Sequence, residues 1–587
     1  MVVGHSDSMP QTNSLFHLLL LVWIGIMPGC SKPEQPTQVA PPPARRPPTT
    51  AETRQPEPSQ TVETTSVIAS DYASLPDAER SRAQSLYVQH CAACHGEKGD
   101  GQGIASRFLF PKPRDFQAGH FRLVTTSNGV PTMSDLDSVI GRGMPGSSMP
   151  PWPNLNEADR RLLAARLIEF RREAIRNRER ALAAEDGEEV DVDELNDIVR
   201  GLTTPGPSIE VPLLSEPTIE AVSRGKQLYL TGGCASCHGK EGRGDGQQKM
   251  VDAEGLPTRP RDLTKGIFKG SSDVKSVYIR TQAGMPGSPM PATAKLTAGQ
   301  IEDMVHYVLS LSDEETRKST VLNRERIVAT PVDTVATSVD DPAWNEIDST
   351  HPRMTPLWWR DDFPPYVEVQ AMHDDQSVSL RLRWADTEAD SHAASSEAFE
   401  DAVAVELYRG DAEPFFGMGA AKSAVEVWMW DADRQSGTPD VEELNPNVVV
   451  DRYPRTEGVA ETAEYRRPGT ATAAQADVTV AARAAGNQIV PRPGESAVSS
   501  FETSGPGTVT FRPPISQFVT SAGKWHDGQW TVVMTRKLLL ENESAGISLT
   551  ASDERTSIAF AVWNGSRRDR DGQKLITIWQ DFVLEEK

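Results

Sequence analysis

Hydrophobic and polar residues change rhythm along this chain. From residue 78 to 313 apolar positions fall at helical spacing. Arg160 to Phe170 and Gln300 to Leu311 each read as an amphipathic helix, with Ile301, Met304, Val305 and Val308 on one face of the second. Shorter helical patterns stand at Gln84-Ser85-Leu86-Tyr87 and Lys226-Gln227-Leu228-Tyr229. After residue 325 the period becomes two. Val378, Leu380, Leu382 and Trp384 alternate with Ser379, Arg381 and Arg383, as a strand with one buried face requires. Val425–Trp430, Trp530–Met534, Ile558–Trp563 and Leu575–Phe582 read in the same way. Turn-forming runs such as His373-Asp374-Asp375-Gln376 and Arg568-Asp569-Arg570-Asp571-Gly572 separate or flank them. Ten of the twelve tryptophans fall from Trp344 onward, which puts the start of a different domain near residue 325. The pattern predicts a multidomain chain, with small all-α bundles followed by an all-β sandwich.

One run breaks both rhythms. Leu15 to Ile26 is apolar over 12 residues, too few to span a bilayer core of about 30 Å but the length of an export signal's apolar region. It ends at Met27-Pro28-Gly29-Cys30, where a small residue before cysteine resembles a bacterial lipoprotein cleavage site. Lipidation of Cys30 is therefore expected, with an ordinary signal or an uncleaved anchor as the alternative. Nine prolines from Pro33 to Pro58 make a stiff tether. Residues 1–30 are thus expected to be a signal and 31–75 a tether, with the protein periplasmic and held to a membrane by its lipid alone. A net charge of −23 argues against nucleic acid as a partner, and a mean hydropathy of −0.45 against a polytopic membrane protein. Eight acidic residues from Glu185 to Asp197, with no Lys or Arg among them, mark residues 173–218 as an acidic linker or a docking patch for a basic partner.

The cysteines bring in the chemistry. Besides Cys30 there are four, in Cys91-Ala92-Ala93-Cys94-His95 and Cys234-Ala235-Ser236-Cys237-His238. Two thiols bridged by two residues on a helical turn can add to both vinyl groups of a haem, and the adjacent histidine is then placed to ligate iron. Neither repeat contains a second CxxC pair to complete a zinc site. The surroundings repeat as well. Gly99-Asp100-Gly101 is matched by Gly244-Asp245-Gly246, and Pro113-Arg114-Asp115-Phe116 by Pro260-Arg261-Asp262-Leu263. Gly143-Met144-Pro145-Gly146-Ser147-Ser148-Met149-Pro150 has its counterpart in Gly284-Met285-Pro286-Gly287-Ser288-Pro289-Met290-Pro291. A methionine thioether supplies the second axial ligand and raises the potential relative to a second imidazole. The two stretches, residues 78–172 and 219–313, resemble class I cytochromes c. Related modules with this methionine pattern use the second methionine, so Met149 and Met290 are the expected ligands, with Met144 and Met285 as packing or alternates.

In the β region specific words follow in order: Asp341-Pro342-Ala343-Trp344, Phe399 to Val405, Pro414-Phe415-Phe416-Gly417-Met418-Gly419, Val425 to Trp430, Gly523 to Trp530, and Ala559 to Gly565 through Gly572-Gln573-Lys574 to Trp579. With them residues 325–587 resemble the haem b (gamma) subunit of ethylbenzene dehydrogenase and related molybdenum oxidoreductases of the dimethyl sulfoxide reductase type, with an apparent insertion at 435–485. That resemblance implies a non-covalent haem b between Met418 and Lys574; Lys537, beside the apolar run Leu538-Leu539-Leu540, and His526 are the alternatives to the lysine in this sequence. It also implies a molybdopterin catalytic subunit and an iron–sulfur subunit as partners, and a cytochrome or quinol-linked complex as redox partner. No ligand set for molybdenum or for an iron–sulfur cluster is present, so the chain is expected to be a non-catalytic electron-transfer subunit with two covalent c haems and one b haem. The rival is a carbohydrate- or ligand-binding sandwich carrying dihaem redox modules, since Asp-x-x-Trp also opens carbohydrate-binding modules.

Overall fold

The computed structural model describes residues 72–586, apart from 294, 392–398, 411–412, 416, 421, 437–496, 513–515, 541–545 and 551–554. The expected signal, Cys30, almost all of the tether and most of the 435–485 insertion lie outside the described residues.

Two helical modules come first. In module 1, α1 (Asp77–His90) leads into the short α2 (Ala92–His95), followed by α3 (Met133–Arg142) and α4 (Glu157–Asp186). The side chain of Asn156 caps α4 by accepting from the Asp159 amide, and Thr132 with Asp135 closes a capping box on α3. The acidic stretch after module 1 is ordered: α4 runs on into it, and α5 (Val192–Thr203) buries Leu195 and Val199 against Ile175. Its charges lie on the solvent side of this helical hairpin. Module 2 repeats the plan with α6 (Ile219–Thr231), α7 (Cys234–His238), a small hairpin of β1 (Met250–Val251) and β2 (Pro257–Thr258), α8 (Val274–Ala283) and α9 (Ala298–Ser310), then α10 (Glu314–Ser319). Equivalent tyrosines fix the CxxCH turn in each module. Tyr87 Oη donates to the Gly96 carbonyl and Tyr229 Oη to that of Gly239, both at 2.7 Å.

The structure corrects the register of the repeat. The Gly101 amide donates to the His95 carbonyl and the Gly244 amide to that of His238, each at 2.8 Å. Gly101 therefore matches Gly244, and the two Gly-Asp-Gly words are two residues out of step.

The C-terminal part is one mixed sheet of thirteen strands among the described residues. They are β3 (Arg326–Pro331), β4 (Thr355–Pro356), β5 (Glu368–His373), β6 (Ser377–Ala385), β7 (Ala402–Arg409), β8 (Val425–Asp431), β9 (Val498–Thr503), β10 (Thr510–Phe511), β11 (Thr520–His526), β12 (Gln529–Lys537), β13 (Thr556–Trp563), β14 (Leu575–Ile576) and β15 (Gln580–Leu584). Their order is β10-β9-β8-β7-β13-β15-β3-β5-β6-β12-β11, with β14 and β4 branching from β13. Pairing is antiparallel except where β3 runs parallel to β15 and β5. The sheet folds back so that its two ends face each other across a shared core. Val405, Trp428 and Phe560 from one end meet Val369, Leu382 and Trp530 from the other. Trp430 of β8 lies 5.0 Å from Trp530 of β12, and Trp384 of β6 lies 6.3 Å from each, ring centre to ring centre. The Glu426–Arg536 pair, 2.8 Å apart and almost wholly buried, also spans the two ends. Isolated in apolar surroundings it would be costly. Here the Trp428 indole and the Ile547 amide complete the hydrogen bonding of Glu426.

The strands β7 and β13 are buried on both faces. Val403, Val405 and Leu407 face the shared core, while Ala402, Ala404 and Tyr408 face the other way. On β13 Ile558, Phe560 and Val562 oppose Ala559, Ala561 and Trp563 in the same manner. That second face is covered by module 1. Leu109, Phe116, Trp152 and Phe170 of module 1 belong to one continuous apolar cluster with Val425, Val427, Trp563, Ile576 and Trp579 of the sheet.

Candidate functional site

In module 1 the attachment turn sits at the floor of this cluster. Cys91 and Cys94 are half-buried and pack against it, and their surroundings push both thiols up to about 12. His95 Nδ1 lies 2.9 Å from the Arg114 carbonyl, and its ring stacks on Phe116 at 4.5 Å. Burial lowers the imidazole to about 4, which keeps it neutral. With Nδ1 holding its proton toward the carbonyl, Nε2 is the free lone pair, the form a metal needs. In module 2 burial also lowers His238. The Arg261 carbonyl, equivalent to that of Arg114, opposes this shift, though the contact falls short of a full hydrogen bond.

The methionine loops are tight turns in which both methionines lie together. The Met144 amide donates to the Met149 carbonyl at 3.0 Å, and Met285 to Met290 at 3.1 Å. Gly143 and Gly284 open these loops with φ of +71° and +68°, and a Cβ at either would stand 2.5 Å from backbone atoms of the loop. A cavity of about 380 Å³ in module 2 is lined by Cys234, Cys237, His238, Met285 and Met290. This donor set and cavity fit a haem. Met304, which the sequence marks only as part of an apolar face, also lines the cavity, with its sulfur 3.7 Å from Cys234 Sγ. In module 1, Met149 packs with the cluster around Cys91 and Cys94, and both Met144 and Met149 line a cavity at the junction with module 2 and the sheet.

Met418 and Lys574 meet at one buried carboxyl group. Met418 sits in a Gly-Met-Gly turn at φ +86°, a strained conformation for a residue with a side chain. The turn is pinned from both sides. The Met418 amide donates to Glu406 Oε1 at 3.2 Å, and its carbonyl accepts from Thr503 Oγ1 at 3.2 Å. Lys574 precedes β14, and its carbonyl accepts from the Leu357 amide at 3.0 Å. Its ammonium lies 4.5 Å from the centre of the Trp563 ring, and burial lowers it to about 8, against the pull of Glu406. Glu406 is pushed up to about 8 by burial, with Lys574 acting the other way. Ile576 and Ile578 lie on the module 1 side and Leu575 in the shared core, but the strand stops at Ile576 and Trp579 joins Ile578 on the module 1 side, so Leu575–Phe582 is not one alternating strand. A buried amine whose proton burial loosens, beside the pinned Met418 turn and flanked by apolar side chains, fits a non-covalent haem. The substitutes lie elsewhere: Lys537 and His526 are exposed, on β12 and β11 at the far end of the sheet.

Comparisons with known proteins match a family model to each of the three parts. A family model described as cytochrome c matches residues 222–312, and one described as cytochrome c oxidase, cbb3-type, subunit III matches 78–165. A model described as ethylbenzene dehydrogenase matches residues 341–575. The chain carries two cytochrome c domains and an ethylbenzene dehydrogenase-family domain. Its relatives include a putative respiratory nitrate reductase heme subunit of Haloferax mediterranei, 28% identical over 37% of this chain and 55% of that protein. Another is the dimethylsulfide dehydrogenase subunit gamma of Rhodovulum sulfidophilum, 24% identical over 38% of this chain and 62% of that protein. The chain thus spans less than two thirds of the length of these two. A solved Kuenenia stuttgartiensis complex, titled a reducing HAO-like protein complex, is 35% identical over 40% of this chain and 96% of that one, with a TM-score of 0.33.

Sequence reasoning missed Glu406 and the docking of module 1. Both left traces. The run Ala402 to Tyr408 carries apolar residues on both faces, with one glutamate among them, as expected of a strand covered twice.

Proposed function

We propose that the chain is a multihaem electron-transfer subunit whose three sites stand in the order b, module 1, module 2. Module 1 attaches a c haem at Cys91 and Cys94 with His95 and Met149 as axial ligands. Module 2 does so at Cys234 and Cys237 with His238 and Met290. The sandwich holds a b haem between Met418 and Lys574. Haem iron in each site supplies one-electron transfer. The protein's part is to fix the sites, exclude water and weaken the hold of Lys574 on its proton. The observation that carries the reading is the single apolar cluster running from Cys91 and Cys94 to Trp563 and Ile576, beside Lys574.

The contacts on either side of module 1 support the order. Toward the sheet, the Phe110 amide donates to the Leu357 carbonyl at 3.0 Å, one residue pairing away from Lys574, and a Cβ on Gly572 would meet the Phe108 ring at 2.3 Å. Toward module 2, the two methionine loops abut the opposite module: Gly146 packs on Ile267, and Gly287 on His120. Module 2 meets the sheet through polar and cation–π contacts: Lys265 and Arg259 reach Asp361, and Arg259 lies over Trp359.

By analogy with its relatives, the chain serves a molybdopterin catalytic subunit through an iron–sulfur subunit, and module 2 exchanges electrons with a further cytochrome or a quinol-linked complex. Export to the periplasm with lipidation at Cys30 completes the reading. Purification of the native complex tests it. Two c haems and one b haem per chain, with molybdenum and iron–sulfur subunits co-purifying, are expected. A chain with c haem only would return the sandwich to a ligand-binding role.

A further inference from the structure

The loop from β7 to β8 carries Met418, and Glu413 stands upstream of it on the same loop. The Glu413 carboxylate is 12% exposed and is held by donors from three parts of the chain. Arg324, on the segment leading from α10 into β3, donates Nη1 to Oε2 at 2.9 Å and Nη2 to Oε1 at 2.7 Å. Ser557 of β13 donates its hydroxyl to Oε1, and Asn154 of module 1 donates its side-chain amide to Oε2. A second module 1 residue, Gln89 of α1, donates to the Glu413 carbonyl at 3.2 Å. Arg324 also donates Nε to Asp581 of β15 at 2.9 Å. A planar guanidinium forked onto a carboxylate fixes direction as well as distance. No axial ligand or attachment cysteine belongs to this network, so the electron-transfer reading leaves it without a role.

From Glu413 the loop is fixed step by step. The Pro414 carbonyl accepts from Trp579 Nε1 at 2.9 Å. Phe415 is buried in the apolar cluster that module 1 shares with the sheet, and its ring leaves no room for a Cβ at Gly417. The Phe415 carbonyl accepts from the Gly419 amide at 3.2 Å, which closes the turn around Met418. The Met418 amide then reaches Glu406. A left-handed backbone at a residue with a side chain persists only where its surroundings over-determine it. Here the anchors at the start of the loop come partly from module 1.

We infer that Glu413 is a positioning residue for Met418, and that its bonds to module 1 make methionine ligation at the b site depend on module 1 being docked. This rests on the b haem proposed above. Without the Glu413 carboxylate, Arg324 keeps Asp581 but releases the loop. Pro414 and Phe415 then lose the anchor beside them, the thioether is no longer held in one place, and lysine is left as the sole axial ligand.

Redox titration of the full chain with its haems in place, read at the b absorbance band, tests this. Glu413→Ala should lower the b potential, because a thioether ligand raises it, and should turn part of the b haem high-spin. Removing a negative charge alone would raise the potential, so the sign separates positioning from charge. In a Met418→Ala background, Glu413→Ala should bring no further lowering. Asn154→Ala, which removes a module 1 contact at the surface, should lower the potential in the same direction by less. Glu368→Gln, which breaks an ion pair with Arg383 between β5 and β6, should leave the b potential unchanged. A raised or unchanged potential in Glu413→Ala, or an equal lowering with and without Met418, would overturn the inference alone. Should Glu413→Ala not fold, Asn154→Ala decides, and an unchanged b potential there overturns it. A wild-type chain with c haems only would overturn the reading of the b site and the inference with it.

Discussion

The two c modules share a motif and differ in what surrounds it. Module 1's attachment cysteines pack into an apolar cluster shared with the sheet, and module 1 touches both other domains. Module 2's core is small and its own, built on Val277, Tyr278, Ile301 and Val305, and its contacts with the sheet are polar. The repeat therefore encodes the chemistry of each site, and the flanking surfaces decide position in the chain of transfer. In the proposed order module 1 is the relay and module 2 the terminus.

The largest expected effect separates these roles directly. Cys91→Ala/Cys94→Ala should abolish electron exchange between the b site and module 2. Cys234→Ala/Cys237→Ala should leave exchange between the b site and module 1 at its normal rate. Stopped-flow spectra at the c and b absorbance bands distinguish the two, and equal losses would erase the distinction.

Next in size is Lys574→Ala, expected to turn the b site high-spin at neutral pH while both c sites keep their low-spin spectra. Because Lys574 must lose its proton to bind iron, and burial already lowers it to about 8, acid should displace it in the wild type before either histidine–methionine site changes. The potential of module 1 should respond to this substitution and that of module 2 should not. A low-spin b site in Lys574→Ala would remove the lysine from the ligand set.

At the interfaces the effect is one of stability. Gly572→Ala drives a methyl group into Phe108 and should cost about 1–3 kcal/mol in denaturant unfolding. Arg259→Ala, at the polar rim between module 2 and the sheet, should stay within about 0.5 kcal/mol. Similar costs at both sites would mean that the two modules dock alike.

A pH effect sets the sheet apart from both modules. Burial, reinforced by Asp401, pushes the Asp386 carboxyl up to about 7. A carboxyl raised above its unfolded value of about 3.9 contributes stability that is complete below that pH and is lost as pH rises through 7. Asp431, raised to about 7 by burial, acts in the same sense. The sheet's unfolding transition should therefore weaken from pH 5 to pH 7.5, and Asp386→Asn, which mimics the protonated form, should flatten that slope. An unchanged slope would assign the pH dependence to other groups.

Much of this was legible from residue order. The CxxCH turns, the paired methionine loops and most of the period-two strands depend on neighbours within a few positions and appear where their pattern puts them, while Leu575–Phe582 breaks into β14 and β15. Three features were harder to read. The linker acids of 185–197 gave no sign that Leu195 and Val199 would dock on Ile175, since three buried residues do not outweigh eight charges in a composition window. The folding of module 1 onto β7 and β13 joins residues hundreds of positions apart, such as Phe108 and Gly572, and no local period encodes that contact. The parallel placement of β3 between β15 and β5 escaped for the same reason: its pairing is entirely long-range.

The order of the three sites is the central claim, and pulsed EPR of the fully oxidised protein tests it without any substitution. Dipolar couplings among three ferric centres give three distances. The distance from the b site to module 2 should be the longest, with both distances to module 1 shorter. A b site closer to module 2 than to module 1 would contradict the account.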